Sequence, residues 1–134
     1  MDMNKLGLFR LITRKMDWLA QRQDVVAHNI ANADTPGFRP GDLAPFSFRS
    51  ALAGTGRLPP ARTAAAHLPG TLRLDAAGRE VKDRKPYEVA PDGNGVVLEE
   101  QLMKVSRTGV DYNMVTNLYR KHMGLIRTAI GRTQ

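Results

Sequence analysis

Cysteine is absent from all 134 residues, which excludes a disulfide framework and any thiolate metal site and leaves the redox compartment open. Aromatics are scarce: one tryptophan and seven Phe or Tyr give little surface for stacking nucleotide bases. No apolar run approaches the ~20 residues that a membrane span needs. Residues 6–12 are interrupted by Arg10 and lead to no small-residue cleavage site, so no secretory signal is read. By these signs the protein is cytoplasmic, unless it leaves by a route that does not cleave its N-terminus.

The vocabulary of catalysis is missing too. His28, His67 and His122 have no partner at ligand spacing, no carboxylate pair recurs on an apolar helix face, and no P-loop, dinucleotide fingerprint or nucleophile elbow occurs. Asp92, Gly93, Asn94 and Gly95 superficially suggest a calcium loop but lack the closing glutamate, so they read as a tight turn. No enzyme activity, metal, cofactor or small-molecule substrate is expected. The net charge of +7 raises nucleic acid or an anionic membrane as partner, and a basic helical module is the rival reading. Against it, the basic residues are spread from Lys5 to Arg132 and interleaved with acids, the pattern of a solvated surface.

Proline is absent from the first 35 and the last 43 residues, and that is where helical periodicity is strongest. Alternating steps of three and four give Phe9, Ile12, Met16, Leu19, Gln23, Val26, Ile30 and Ala33, apolar except Gln23, the pattern of a helix that lies along another helix. The spacing predicts a helix over residues 5–34 with Asp2 or Asn4 as cap, ending near Ala33 or Asp34 because Pro36 drives Thr35 out of the α region. Pro36 and Gly37 suit the centre of a type II turn. Asn29 and Asn32 stand just before it, where their amides can take freed carbonyls or loop backbone; spacing equally allows two solvated side chains.

From Leu98 to the end the same steps give Leu98, Leu102, Val105, Gly109, Tyr112, Thr116, Tyr119, Met123, Ile126 and Ile130. Gly109 and Gly124 each cost about 1 kcal/mol relative to alanine, so this helix needs a packed neighbour. The simplest is the N-terminal helix, parallel or antiparallel, with Phe9, Ile12, Met16, Leu19, Val26 and Ile30 facing Leu102, Val105, Tyr112, Tyr119, Met123 and Ile126. The expected fold is mainly α: residues 1–35 and 97–134 form one discontinuous helical domain, a coiled-coil-like pair. Residues 36–96, which hold all eight prolines and eight of the twelve glycines, form an irregular middle with a flexible loop over 53–66 and a short β-hairpin. Strand candidates are residues 71–74, 87–89 and 96–98, with turns at Ala77 and Gly78 and at residues 92–95.

Apolar rows remain over: Leu8, Leu11, Trp18 and Val25 on the first helix, Val110, Met114, Leu118 and Leu125 on the second. Burying four such side chains is worth about 6 to 12 kcal/mol against an association cost of about 4 to 15 kcal/mol, a near tie for a dimer. A subunit touching several neighbours at once gains the term repeatedly, which points to a polymer.

The run N-I-A-N-A-D-T-P-G-F at residues 29–38 resembles the signature near the N-terminus of bacterial flagellar rod, hook and hook-associated proteins. Its site residues here are Asn29, Asn32, Asp34, Thr35, Pro36, Gly37 and Phe38. Arg22, Gln23, Asp42, Phe46, Tyr87 and Glu88, and the run P-D-G-N-G-V-x-L-E-x-Q at residues 91–101, are most similar to the rod branch of that family. Phe38 stands where tyrosine is commoner, residues 39–42 are unusual, and Gln101 stands where a second glutamate is frequent. The resemblance implies a structural subunit of the proximal rod, assembled through its terminal helices and needed for motility. It implies partners in copies of itself, other rod proteins and the junction of the MS ring with the export gate. It further implies export by the flagellar type III apparatus without signal cleavage to a periplasmic rod. Phe48 and Leu52 are similar to the Phe-x-x-x-hydrophobic element by which early substrates engage the gate; an amphipathic turn packing both on the core is the alternative.

Overall fold

The structure, a computed structural model, describes residues 6–55, 79–82 and 88–131. Helix α1 is Gly7–Ala31, a short strand β1 is Gly41–Leu43, α2 is Phe48–Thr55, β2 is Glu80–Lys82 and α3 is Leu98–Ala129. The helices α1 and α3, 25 and 32 residues long, dominate. At 1.5 Å per residue they span about 37 and 48 Å.

They run antiparallel, since Phe9 near one end of α1 meets Tyr119 edge-on at 5.2 Å while Asn29 near the other end reaches Gln101. Ile12, Trp18, Leu19, Leu43 and Val115 form the core, with Met16, Val25, Phe46 and Tyr119 around it. The first helix stops earlier than expected: the backbone leaves α geometry after Ala31, and Asn32 already caps it. Gly131, at φ +77, follows the last turn of α3 and supplies the left-handed step that ends it.

The strand predictions need correction. Residues 88–89 and 96–97 are irregular and Leu98 opens α3, while residues 71–74, Tyr87 and the turn at Ala77 and Gly78 lie outside the described residues. The antiparallel ribbon pairs β1 with β2 instead, in the register Gly41 with Lys82, Asp42 with Val81 and Leu43 with Glu80. Residues 53–55, read as the start of a loop, close α2, and the rest of that loop lies outside the described residues.

Strand β1 and the residues that follow it lie against α1 and take up part of its second apolar row. Trp18 is buried, donating its Nε1–H to the Ala44 carbonyl at 3.0 Å and packing on Phe46 at 6.2 Å, and Val25 packs on the same core. Of that row only Leu8 is exposed. The surplus apolar surface predicted for both helices is therefore concentrated on α3.

Candidate functional site

The signature turn is built in two halves. On its own side, Asn32 donates Nδ2–H to the His28 carbonyl at 2.8 Å and accepts from the Thr35 hydroxyl at 3.2 Å. The Phe38 amide bonds the Thr35 carbonyl at 3.2 Å across Pro36 and Gly37, and Gly37 sits at φ +72, the geometry that a type II turn requires. Asp34 is exposed, and Phe38 sets its ring edge-on to His28 at 5.8 Å.

The other half comes from residues 90–96, which make a tight turn, the Gly93 amide on the Ala90 carbonyl and the Ala90 amide on the Asn94 carbonyl both at 2.8 Å, and clamp the signature turn with it. Gly37 donates its amide to the Asp92 carbonyl at 3.1 Å and Gly95 donates to the Phe38 carbonyl at 3.0 Å. Buried Asn94 places Nδ2 at 2.9, 2.7 and 2.8 Å from the carbonyl oxygens of Asn32, Ala33 and Thr35, and its Oδ1 accepts from the Val96 amide at 2.8 Å. One side chain thus collects three carbonyls of the turn that follows α1. A Cβ at Gly93, itself at φ +83, would stand 3.5 Å from the Gly37 backbone.

Deeper in, Asn29 is 1% exposed. Its Nδ2 donates to the Gly41 carbonyl at 2.7 Å and to Gln101 Oε1 at 3.0 Å, while its Oδ1 accepts from the Gly41 amide at 3.0 Å. Beside it, Arg22 grips Asp42 with two bonds of 2.9 Å, Lys104 approaches the same carboxylate at 3.6 Å, and Lys104 also pairs with Glu100 at 2.8 Å. Burial pushes the Asp42 carboxyl up, yet the Arg22 bonds and charge, the Leu43 amide and Lys104 together hold it below the usual carboxylate range. The bond to Asp42 in turn raises the Arg22 guanidinium. These polar ties join α1, β1 and α3 at the end where the turn begins.

Along the helix pair, Phe9, Ile12, Leu19 and Val26 are buried and Met16 and Ile30 half-buried. On α3 the row drawn from spacing is met in part, with Tyr119 packed on Phe9 and the core. Val105, Tyr119, Met123 and Ile126 are half-buried, but Leu102 and Tyr112 are 59% and 40% exposed. The inward positions are Gln101, Thr108 and Val115, one residue before Leu102, Gly109 and Thr116. Gln101 is drawn in by Asn29, which bonds its Oε1 while its Nε2 stays buried without a hydrogen-bond partner, and Thr108 satisfies its hydroxyl on the Lys104 carbonyl at 2.7 Å. Outward stand Met103, Val110, Met114, Leu118 and Leu125.

On α2, Phe48 and Leu52 are one turn apart and 56% and 60% exposed, Phe48 set against Phe46 at 4.9 Å. Neither belongs to the core. Arg22, Asp42 and Gln101 appear in the sequence only as parts of the rod-type pattern, and the role of Asn94 as a carbonyl collector has no sequence signal beyond its place in that run.

An antiparallel helix pair closed by a polar clasp and carrying a long bare apolar face defines a building block for helical assembly. A family model described as "Flagella basal body rod protein" matches residues 16–39. The flagellar basal body rod protein FlgB of Agrobacterium fabrum is 33% identical over 132 residues, covering 98% of each chain. FlgB of Escherichia coli K12 is 32% identical over 100 residues, covering 71% of this chain and 72% of the relative, and FlgB of Yersinia enterocolitica is 30% identical over 115 residues. The chain belongs to the FlgB family of flagellar basal body rod proteins.

Proposed function

We propose that the protein is a non-catalytic subunit of the proximal rod of a bacterial flagellum, exported through the flagellar type III apparatus with its N-terminus uncleaved and assembled in the periplasmic span. Its partners are copies of itself, other rod proteins and the junction between the MS ring and the export gate. The observation that carries this reading is the outer face of α3, where five large apolar side chains stand 42% to 67% exposed on a helix whose opposite side is already packed. Contiguous apolar surface on a small protein marks an interaction site. The family membership says of what kind.

Phe48 and Leu52 on the outside of α2 suit an element read by the export machinery before assembly. A strain lacking the gene tests the reading: it should be non-motile, and its basal bodies should hold a ring without a rod. Swimming at the parental rate would overturn it.

A further inference from the structure

The exposed side of α3 has a regular pattern of its own. Met103, Arg107, Val110, Met114, Leu118, Lys121 and Leu125 follow one another at steps of three or four, all exposed, which makes a second seam on the face away from α1. The exposed side of α1 has the matching periodicity with opposite character: Thr13, Asp17, Ala20, Asp24, Ala27 and Ala31, again at steps of three and four. One seam is large, apolar and basic, the other small and acidic. Among the described residues neither Asp17 nor Asp24, nor Arg107 nor Lys121, joins an ion pair.

Resting on the reading of the chain as a rod subunit, we propose that the outer seam of α3 seats on the outer seam of α1 of a second copy. Small residues on one helix let the bulky residues of the other approach closely, and the charges are complementary. The contact is heterologous, joining two different patches, so repeating it generates an open helical array rather than a closed dimer.

Polarity and register follow from the same residues. Copies stacked with a common direction bring α1 of one antiparallel to α3 of the next, because the two helices are antiparallel within each chain. Asp17 and Asp24 are seven residues apart and centred near Ala20, while Arg107 and Lys121 are fourteen apart and centred on Met114. Setting Ala20 opposite Met114 leaves each acid about half a heptad, ~5 Å, from a base, within reach of a long basic side chain. The same register sets Ala31 beside Met103.

The lack of cysteine makes the test direct. Full-length chains carrying Ala20→Cys and Met114→Cys are co-expressed in a strain without the native gene, and oxidised basal bodies are run on non-reducing gels. A disulfide-linked product of twice the chain mass is expected from the mixture, well above either variant alone, and likewise from Ala31→Cys with Met103→Cys. Adding Asp17→Lys and Asp24→Lys to the first chain should cut the yield roughly tenfold, and adding Arg107→Glu and Lys121→Glu to its partner should restore it. Cross-linking of Ala31→Cys to Leu125→Cys instead, to a different rod protein, or at a yield indifferent to charge reversal overturns the proposal. Motility of the deletion strain is read separately, so a failed seam in a non-motile background leaves the rod reading standing.

Discussion

Asn29 binds the backbone of Gly41 as a neighbouring strand would, giving an N–H to its carbonyl at 2.7 Å and taking its amide at 3.0 Å. The same Nδ2 reaches Gln101, so a single buried amide joins both long helices to the segment after the signature turn.

Replacing it should therefore cost more than an average side chain. Asn29→Ala leaves the Gly41 amide and carbonyl and Gln101 Oε1 without a partner in a dry site, an expected loss of about 3 kcal/mol in urea unfolding. Asn29→Asp should be worse, since a carboxylate cannot donate to either oxygen and is buried as an unpaired charge. Equal stability of the two variants would show that charge is not what the site rejects.

Asn94 supports the other side of the turn. Asn94→Ala removes the donor shared by three carbonyls, and Asn94→Asp replaces it with an acceptor facing acceptors. Both should lose about 2 kcal/mol and speed amide exchange at Gly37 and Gly95, with Asp the larger effect. Hydrogen exchange read by NMR checks this residue by residue.

The grip of Arg22 on Asp42 predicts a specific acid response. Because the folded pKa of Asp42 lies below its unfolded value of 3.8, the folded state binds fewer protons there; its stabilisation is complete above that value and is lost as pH falls through the lower folded one. Asp42→Asn should reduce stability at neutral pH by about 1 to 3 kcal/mol and flatten the loss below about pH 4, seen as a shallower melting-temperature profile against pH.

Gly109 and Gly124 lie within α3 with nothing within 4 Å of where a Cβ would stand. Alanine at either should raise stability by about 0.5 to 1 kcal/mol, since neither glycine is used for a turn or close approach in the single chain. Thermal melts of Gly109→Ala and Gly124→Ala measure it.

The two long helices were legible in the sequence because period and proline-free length agree, and Phe9, Ile12, Leu19 and Val26 occupy the buried line that the spacing implies. The seam on α3 departs from the spacing in its first half, because that helix is apolar on two sides and turns Gln101, held through its Oε1 by Asn29, and Thr108, bonded to the Lys104 carbonyl, toward α1, whereas Tyr119 packs on Phe9. The ribbon was misplaced for a related reason. Glu80, Val81 and Lys82 carry no apolar alternation, and β1 is held on its far edge by a side-chain amide rather than by another strand. Residues 92–95 have the composition of a tight turn and take part in one, but its engagement by the signature turn is a long-range relation that local composition does not encode.

Exposure on the two helices separates folding from assembly. Val26 is fully buried between α1 and its neighbours, so Val26→Asp places an unpaired carboxylate in the core and should cost more than about 4 kcal/mol, unfolding the chain and removing it from basal bodies. Leu102 is 59% exposed on α3, and Leu102→Asp touches no core contact. Its effect on the free subunit should stay within about 0.5 kcal/mol, the range of ordinary surface changes. If the outward apolar positions of α3 serve incorporation, the same variant should nonetheless swim poorly, with folded subunit accumulating outside the rod. Circular dichroism of the purified variants and swarm diameters of complemented strains give the two readouts. A Leu102→Asp strain that swims normally would remove this position from the assembly surface and leave only the Met103 to Leu125 face to carry it.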